Sequence, residues 1–340
     1  MIMMQASVLR AAHDLILEDR PVPQPGPREV LVRIKSVGVC GSDVHYYEHG
    51  RIGEHVVREP LVLGHEPAGE VVAIGDQVTR VAIGQRVSIE PGVPCLSCER
   101  CLGGQYNLCP TMRFLATPPI DGAFCEYLAI HEAFAHSVPD SLSDDAAAML
   151  EPLSVGLWAC RKGRVEPGTK VLVNGAGPIG LLAAQTALAF GAAQVVVADV
   201  SESRLALAGR LGATDIVDVR STALGESGVE PDVLLECSGH PEATVAAIRT
   251  LAPAGRAVLV GMGGDVLPLP LPYVQNNEIE VVGTFRYANT WPTAIALASS
   301  GRVALEPLVT THHSLPDVGA ALTAGATDPS TVKVVVNPTS

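Results

Sequence analysis

Short runs of alternating apolar and polar residues dominate the chain before residue 140. In residues 29–35 the apolar side chains occupy every second position, which predicts a half-buried strand. Residues 69–91 contain further short strands, separated by glycine turns such as Gly75-Asp76. Several short strands with turn residues between them predict a small β-barrel.

The pattern changes near residue 165, where apolar strands begin to alternate with helical segments. Residues 170–174 read as a short strand, an alanine-rich helix follows, and residues 194–198 read as a second strand. The alternation continues to residues 280–285 and predicts a parallel sheet of six strands. The predicted fold class is therefore α/β, with a β-barrel followed by a doubly wound parallel sheet.

The same change of pattern predicts the domain boundaries. A length of 340 residues suggests about two domains. We place the first domain at residues 1–152 and the second at residues 153–285. Residues 286–340 contain a helix and two further strands, and we expect them to return to the first domain.

Charge and composition exclude several classes of partner. The chain has 23 Lys and Arg against 36 Asp and Glu, a net charge of −13, which disfavours nucleic acid and anionic membranes. The chain contains no run of about 18 apolar residues, so no membrane span is predicted. The N-terminal sequence lacks the charged and apolar regions of a signal peptide. We therefore expect a cytoplasmic protein.

Four of the eight cysteines lie within 15 residues, in a glycine- and proline-rich lobe at residues 92–112. This spacing predicts a loop folded around one tetrahedral zinc ion, which is structural because four thiolates leave no open position. An iron–sulfur cluster is one alternative, although its third gap should be three residues and here it is seven. Two disulfides are the other. The four residues are Cys95, Cys98, Cys101 and Cys109.

A glycine motif follows the strand at residues 170–174 and opens the alanine-rich helix. Its first glycine permits a tight turn, its second allows a pyrophosphate to approach the backbone, and its third allows close packing of helix on strand. The helix N-terminus then faces the phosphates. In this context the motif predicts a dinucleotide site. It reads Gly175-Ala176-Gly177-Pro178-Ile179-Gly180.

The acid at the end of the second strand selects between the two nicotinamide cofactors. Asp199 lies 19 residues after the last glycine of the motif. Its carboxylate can accept a hydrogen bond from a ribose 2′-hydroxyl and repels a 2′-phosphate, so NAD is predicted in preference to NADP. Arg204 is close enough in sequence to contribute to the same site.

A second set of metal-binding residue types lies in or at the end of apolar segments. Buried side chains of these types need a partner, and zinc is one that binds sulfur, nitrogen and oxygen together. A mixed set of ligands that is scattered along the chain suits a catalytic zinc with an open position. An arginine partner would also explain a buried carboxylate at Glu151. Beside NAD, such a zinc would bind a hydroxyl and promote hydride transfer from its carbon. The set is Cys40, His65, Glu66 and Glu151.

These motifs resemble the zinc-containing alcohol dehydrogenases of the medium-chain dehydrogenase/reductase family. The family signature matches Gly64-His65-Glu66-x2-Gly69-x5-Gly75-x2-Val78, and the other motifs follow in the family's order along essentially the whole chain. The resemblance implies a GroES-like catalytic domain, a Rossmann domain inserted before its C-terminal part, two zinc ions per chain and a homotetramer.

Three features are similar to the polyol branch of that family, which includes sorbitol and xylitol dehydrogenases. They are Cys-Gly-Ser-Asp-Val-His-Tyr at 40–46, Glu151-Pro152-Leu153, and the polar aromatic segment at 285–292. The four lobe cysteines make the chain look more like microbial members of the branch.

The resemblance also implies roles for single residues. Cys40 and His65 would ligate the catalytic zinc, whereas for Glu66 and Glu151 one would bind directly and the other would hold the zinc-bound water. Ser42 would take the substrate proton and pass it toward His45. Contacts with the polyol would come from Tyr46, Arg286 and Tyr287. As our own addition, Asp43 would accept a hydrogen bond from His65 and fix its tautomer.

The predicted function is oxidation of a secondary hydroxyl of a polyol to a ketose. The polar side chains of Tyr46, Arg286 and Asn289 favour a hydroxyl-rich substrate. A 2,3-butanediol or L-threonine dehydrogenase on the same frame is the alternative. A non-catalytic NAD-binding protein is a third hypothesis, which the intact zinc set disfavours.

Overall fold

The computed structural model describes residues 2–339. Within that range no helix is both long and apolar enough to cross a membrane. The strands are β1 (Met3–Ala11), β2 (Asp14–Pro21), β3 (Glu29–Gly38), β4 (Arg51–Ile52), β5 (His55–Val56), β6 (Leu61–Val62), β7 (Glu66–Ile74), β8 (Arg86–Ile89), β9 (Gly92–Val93), β10 (Arg113–Phe114), β11 (Tyr127–His131), β12 (Ala135–Ser137), β13 (Lys170–Asn174), β14 (Gln194–Asp199), β15 (Asp215–Asp218), β16 (Val233–Glu236), β17 (Arg256–Leu259), β18 (Glu280–Gly283), β19 (Val309–Ser314) and β20 (Lys333–Asn337).

The helices connect these strands. They are α1 (Gly41–His49), α2 (Glu99–Leu102), α3 (Asp144–Ala148), α4 (Leu150–Gly163), α5 (Pro178–Ala189), α6 (Glu202–Arg210), α7 (Pro241–Ile248), α8 (Leu271–Asn276), α9 (Trp291–Ser299) and α10 (Val318–Thr327). The chain divides into two compact units, one running up to Glu151 and resuming at Leu305, the other spanning Pro152–Ala304.

The first unit is built on a sheet of seven strands. Its order is β12-β8-β7-β3-β20-β19, with β11 also paired to β3. Strand β3 lies inside this sheet, where it pairs with β7, β11 and β20. Its alternating residues Val30, Val32 and Ile34 are completely buried, as the period of two predicts. A three-stranded sheet, β2-β1-β6, belongs to the same unit.

The pairing of three strands brings distant residues to one end of β3. In register, Gly38 of β3 lies opposite Glu66 of β7, and β20 pairs with the same end of β3 through Val335. The first residues of β7 and β20 therefore meet beside the last residue of β3.

The second unit is the six-stranded parallel sheet that the sequence predicts. Its order is β15-β14-β13-β16-β17-β18. Strand β13 lies between β14 and β16, and the strand order runs in opposite directions on its two sides. Sheets of this kind bind ligands at such a switch point. The carboxyl ends of these strands carry Asn174, Asp199 and Glu236.

The boundary between the units differs from the predicted one. Residues 286–304, which we expected in the first domain, belong to the second unit. Hydrogen bonds to the second unit explain the difference: Arg161 Nη1 donates to the carbonyl oxygen of Asn289 at 2.9 Å, and the backbone N–H of Ala304 donates to the side chain of Gln185 at 2.8 Å. The return to the first unit begins only at Leu305.

Candidate metal and dinucleotide sites

The four cysteines of the lobe converge on one point. Their sulfur atoms all lie within 4.8 Å of one another. The Sγ–Sγ distances are 3.4 Å for Cys98–Cys101 and 3.9 Å for Cys95–Cys101. A tetrahedral ion with Zn–S bonds of about 2.3 Å requires sulfurs about 3.8 Å apart. The spacing fits one ion, and all four thiols are free rather than joined in disulfides.

Hydrogen bonds prepare this lobe for a cation. The backbone N–H of Cys98 donates to the sulfur of Cys95 at 3.3 Å, and that of Cys95 donates to the sulfur of Cys109 at 3.4 Å. Hydrogen bonds from Ser97 lower the pKa of Cys95 to about 5. Burial and the neighbouring thiols raise the pKa of Cys101 to about 12. Four thiolates at this spacing therefore need a cation to form together.

A second cluster forms where β3 ends and β7 begins. Cys40 follows β3 and caps α1, His65 directly precedes β7, and Glu66 is its first residue. One possible ligand atom from each lies within 4.8 Å of the others. Sulfur, nitrogen and oxygen are the donors that a catalytic zinc accepts from three protein residues. Three of the four predicted ligands are thus brought together.

Asp43 holds this cluster in shape. Its buried carboxylate accepts hydrogen bonds from the backbone N–H groups of Gly64, at 2.9 Å, and Cys40, at 3.0 Å. One of its oxygens lies 3.6 Å from Nδ1 of His65, so Nε2 is the nitrogen left for a metal. Burial opposes both charges, but the mutual attraction raises the pKa of His65 and lowers that of Asp43.

Lys333 is the functional-site residue that sequence reasoning missed. It begins β20, is 3% exposed, and its Nζ lies 2.6 Å from Oε1 of Glu66, which is 1% exposed. Gly38 makes room for this pair, because a Cβ there would lie 1.9 Å from Oε2 of Glu66. Burial lowers the pKa of Lys333, but the charges of Glu66, Cys40 and Glu151 outweigh it and raise that pKa.

Glu151 stands slightly apart from the other three predicted ligands. It is buried in the first turn of α4, and its oxygens are outside the group whose ligand atoms lie within 4.8 Å of one another. Its charge nevertheless acts on Lys333, which places it near the cluster. Direct ligation by Glu66, with Glu151 further out, is the arrangement that this geometry favours.

The predicted relay and substrate residues of the first unit lie on α1. Ser42 is half-buried, His45 is exposed and packs edge-on against His49, and Tyr46 is 3% exposed. All three side chains thus lie on the helix that Cys40 caps, and His45 is the one most open to solvent.

The glycine motif forms the turn between β13 and α5. Gly175 has a φ of 101°, which favours glycine, and Gly177 caps α5 with Pro178 at the first helical position. Gly180 is required for a different reason, because a Cβ there would lie 1.8 Å from the carbonyl oxygen of Gly175. Ile179 lies in the first turn of the helix. The turn has the form that the dinucleotide motif predicts.

Asp199 is tied to this turn from the neighbouring strand. Its carboxylate accepts hydrogen bonds from the backbone N–H of Ala176 at 2.6 Å and of Ser201 at 2.7 Å. Arg204 lies one turn into α6, where its backbone N–H is 3.5 Å from the Ser201 hydroxyl. The acid that is predicted to select the cofactor therefore also stabilises the glycine turn.

A second carboxylate supports the turn from the other side, and no pattern in the sequence predicts this role. Buried Glu236 accepts hydrogen bonds from the side chain of Asn174 at 3.2 Å and the backbone of Ser238 at 3.0 Å. Ser238 in turn packs against Gly175, whose added Cβ would lie 2.9 Å from its nitrogen.

The two predicted substrate residues of the second unit have different surroundings. Arg286 is half-buried, with its guanidinium 4.7 Å from the centre of the exposed Phe285 ring. Tyr287 is 3% exposed and its ring packs on Trp291. Arg286 is the more accessible of the two.

Comparisons with known proteins agree with this architecture. The alcohol dehydrogenase GroES-like domain family matches residues 26–140, and the zinc-binding dehydrogenase family matches residues 178–300. Sorbitol dehydrogenase of Bacillus subtilis (strain 168) is 42% identical over 94% of this chain and 92% of its own. That of Gallus gallus is 46% identical over 92% and 89%.

Solved structures confirm the predicted fold class of a GroES-like domain with a Rossmann sheet. An oxidoreductase/dehydrogenase of unknown specificity from Escherichia coli matches with a TM-score of 0.95 and 33% identity, over 99% of both chains. Family matches, relatives and fold thus agree along nearly the whole sequence. The chain belongs to the zinc-containing medium-chain alcohol dehydrogenase family, in its polyol branch with the sorbitol dehydrogenases.

Proposed function

We propose that this protein is a zinc-dependent, NAD-linked polyol dehydrogenase that oxidises a secondary hydroxyl to a ketose. The observation that carries the proposal is the convergence of Cys40, His65 and Glu66 on one point. The activity of the sorbitol dehydrogenase relatives supports the substrate class.

Cys40, His65 and Glu66 would hold the catalytic zinc, and Glu151 would hold its bound water. A bound zinc ion lowers the pKa of an alcohol hydroxyl and stabilises the alkoxide. Asp43 orients the imidazole of His65, and Lys333 balances the charge of Glu66. Together they let a buried set of anionic ligands remain close to one another.

The protein's side chains also have roles in handling the substrate and cofactor. Ser42 accepts the proton of the alcohol and His45, which is exposed, passes it to solvent. Tyr46 and Arg286 bind further hydroxyls of the polyol. Asp199 accepts a hydrogen bond from the ribose 2′-hydroxyl of NAD, and its charge disfavours NADP.

The zinc content proposed is two ions per chain. The second ion would be structural and held by Cys95, Cys98, Cys101 and Cys109, whose sulfur spacing fits a tetrahedral ion. A cytoplasmic location is proposed as well, since the eight free cysteines suit a reducing compartment.

A homo-oligomer, with a tetramer as the specific proposal, is supported by one edge of the second unit's sheet. Strand β18 ends the sheet, and an edge strand offers unpaired backbone groups for pairing. Large apolar side chains are exposed between β17 and β18 and just after β18, with Val266 at 76%, Leu271 at 56% and Phe285 at 53%. Light scattering of the purified protein tests this proposal, and a monomeric mass would contradict it.

The experiment that tests the function is NADH production with xylitol, D-sorbitol and 2,3-butanediol. It is run before and after zinc chelation, with a Glu151→Ala variant alongside. We expect turnover of the polyols that chelation abolishes. Turnover of butanediol alone would move the protein to the alternative activity. If NAD binds but no alcohol is oxidised, and zinc content is one or none, the non-catalytic hypothesis replaces this one.

A further inference from the structure

Arg161 of helix α4 donates hydrogen bonds to the polar aromatic segment, and both belong to the second unit. Its Nη1 donates to the carbonyl oxygen of Asn289 at 2.9 Å and lies 3.5 Å from that of Ala288. Its Nη2 donates to the hydroxyl of Thr293 at 3.1 Å. One guanidinium therefore joins two consecutive carbonyls to the first turn of α9.

Residues 286–291, called here the presentation segment, have an uncommon backbone. Arg286 and Asn289 have positive φ values of 53° and 56°, in the left-handed region that non-glycine residues seldom adopt. Between and after them, Tyr287, Ala288 and Trp291 are buried. The segment thus alternates between buried side chains and the more accessible side chains of Arg286 and Asn289.

We propose that Arg161 is a positioning residue that fixes the presentation segment and so determines how Arg286 and Asn289 meet a hydroxyl-rich substrate. The proposal rests on the proposed function for its substrate, but its structural part concerns Arg161 and the backbone alone. The planar fork of an arginine can hold two carbonyls and a hydroxyl at once, which a lysine ammonium cannot match.

Loss of this side chain releases the segment in a predictable way. The carbonyls of residues 288 and 289 lose the hydrogen bonds that the guanidinium of Arg161 donates to them. We expect the two residues with positive φ, Arg286 and Asn289, to shift toward commoner conformations, which reorients the Arg286 side chain. Because small misplacements of a substrate-binding group can reduce turnover by up to about 100-fold, specificity is sensitive to this contact.

The test compares Arg161→Met and Arg161→Lys with Arg164→Met as the control. Arg164 lies just beyond the end of the same helix, is 71% exposed at its side chain, and pairs with Glu280 instead. The first readout is hydrogen exchange of amides in the presentation segment, together with tryptophan fluorescence. Trp158 of α4 and Trp291 are the two tryptophans of the chain, so the fluorescence reports on this region.

We expect Arg161→Met to speed exchange in the presentation segment by about 10-fold or more and to change the fluorescence. Its kcat/KM for the polyol falls by about 10- to 100-fold, while the Kd for NADH and the zinc content stay unchanged. Arg161→Lys recovers part of each loss, and Arg164→Met has no effect. Because Arg161→Lys is the milder change, it keeps the test decisive if Arg161→Met does not fold.

Two outcomes overturn the proposal. One is unchanged exchange and fluorescence in both Arg161 variants. The other is a loss of NADH binding equal to the loss of polyol turnover, which indicates a general structural defect. If the wild-type protein oxidises no polyol, the proposed function fails, and the exchange readout still decides whether Arg161 holds the segment.

Discussion

At the scale of single residues, Lys333 determines the charge of the predicted zinc site. The buried carboxylate of Glu66 has a buried ammonium 2.6 Å away, so part of its charge is compensated before a metal binds. Without Lys333, the carboxylate of Glu66 would be buried with no cation beside it. Lys333 offsets this charge, so the site tolerates the absence of metal better than its ligands alone would.

Removal of the ammonium should therefore destabilise the metal-free protein most. We expect Lys333→Met to lower the free energy of unfolding of the zinc-free protein by about 3–5 kcal/mol, since it leaves Glu66 buried without a cation. Zinc should restore more stability to this variant than to the wild type. Thermal unfolding with and without zinc measures both. An equal loss in the double variant Lys333→Met/Glu66→Gln would contradict this reason, because that variant has no uncompensated charge.

Asp199 is the residue on which we expect the affinity and the choice of cofactor to depend. Asp199→Ala removes a charged acceptor worth about 1.5–3 kcal/mol, so we expect the Kd for NADH to rise about 10- to 150-fold. The ratio of NADPH to NADH binding should increase because the repulsion of a 2′-phosphate is gone. Fluorescence titration with both cofactors measures this. Asp218→Ala, at the matching end of β15, is the control, and equal weakening by it would disprove a specific role for Asp199.

Single elements depend on contacts of the same kind, and Glu132 gives the clearest case. It is completely buried in the turn between β11 and β12, and accepts hydrogen bonds from the backbone of Thr79 and Arg80, at 2.7 and 2.8 Å. Arg28 adds an ion pair at 2.8 Å. The backbone N–H of Thr79 first and Arg28 next lower the pKa of Glu132 from 4.5 to about 2.

The sign of the pH dependence follows from that lowered pKa. Stabilisation by Glu132 is complete above about pH 4.5 and is lost as the pH falls toward 2. We expect Glu132→Gln to reduce the free energy of unfolding by about 1–3 kcal/mol at pH 7. The difference from wild type should shrink between pH 4.5 and pH 3 in urea unfolding experiments. A difference that stays constant over that range would rule out the ionised carboxylate as its source.

The cysteine lobe is an element whose folding depends on its ion. It has few buried apolar side chains, and Leu96 and Leu102 are exposed. We expect Cys98→Ser to lower the zinc content from two to one per chain and to make residues 95–109 sensitive to protease, with NADH binding retained. Cys125→Ser, a buried cysteine outside the lobe, should change neither quantity. Loss of both zinc ions in Cys98→Ser would contradict an independent lobe.

Most elements and most of the site follow from local patterns. The period of two in β3 is visible because its alternate residues Val30 and Val32 face one core, and the glycine motif and the cysteine spacing are local as well. Lys333 is different, because a lysine at the start of an apolar strand gives no sign of a glutamate 267 residues earlier. Only the pairing of β20 with β3 brings the two together.

At the scale of the whole molecule, the first unit is discontinuous, and the chain returns to it later than predicted, at Leu305. Residues 286–304 have a helix and aromatic residues that suit either unit by pattern alone. Contacts decide, since hydrogen bonds from Arg161 to Asn289 and between Gln185 and Ala304 hold them in the second unit. Hydrophobic periodicity identifies what an element is, whereas membership of a unit depends on distant partners.

The discontinuity also sets an order for biosynthesis. At about 5–20 residues per second, the 267 residues between Glu66 and Lys333 take roughly 13 to 53 seconds to translate. During that time the entire second unit is made, and a pairing of β3 with β7 that forms early places Glu66 near Cys40 and His65 without its ammonium. The nascent metal site is therefore at its most anionic, and most attractive to a divalent cation, before the ribosome has supplied the lysine that completes it.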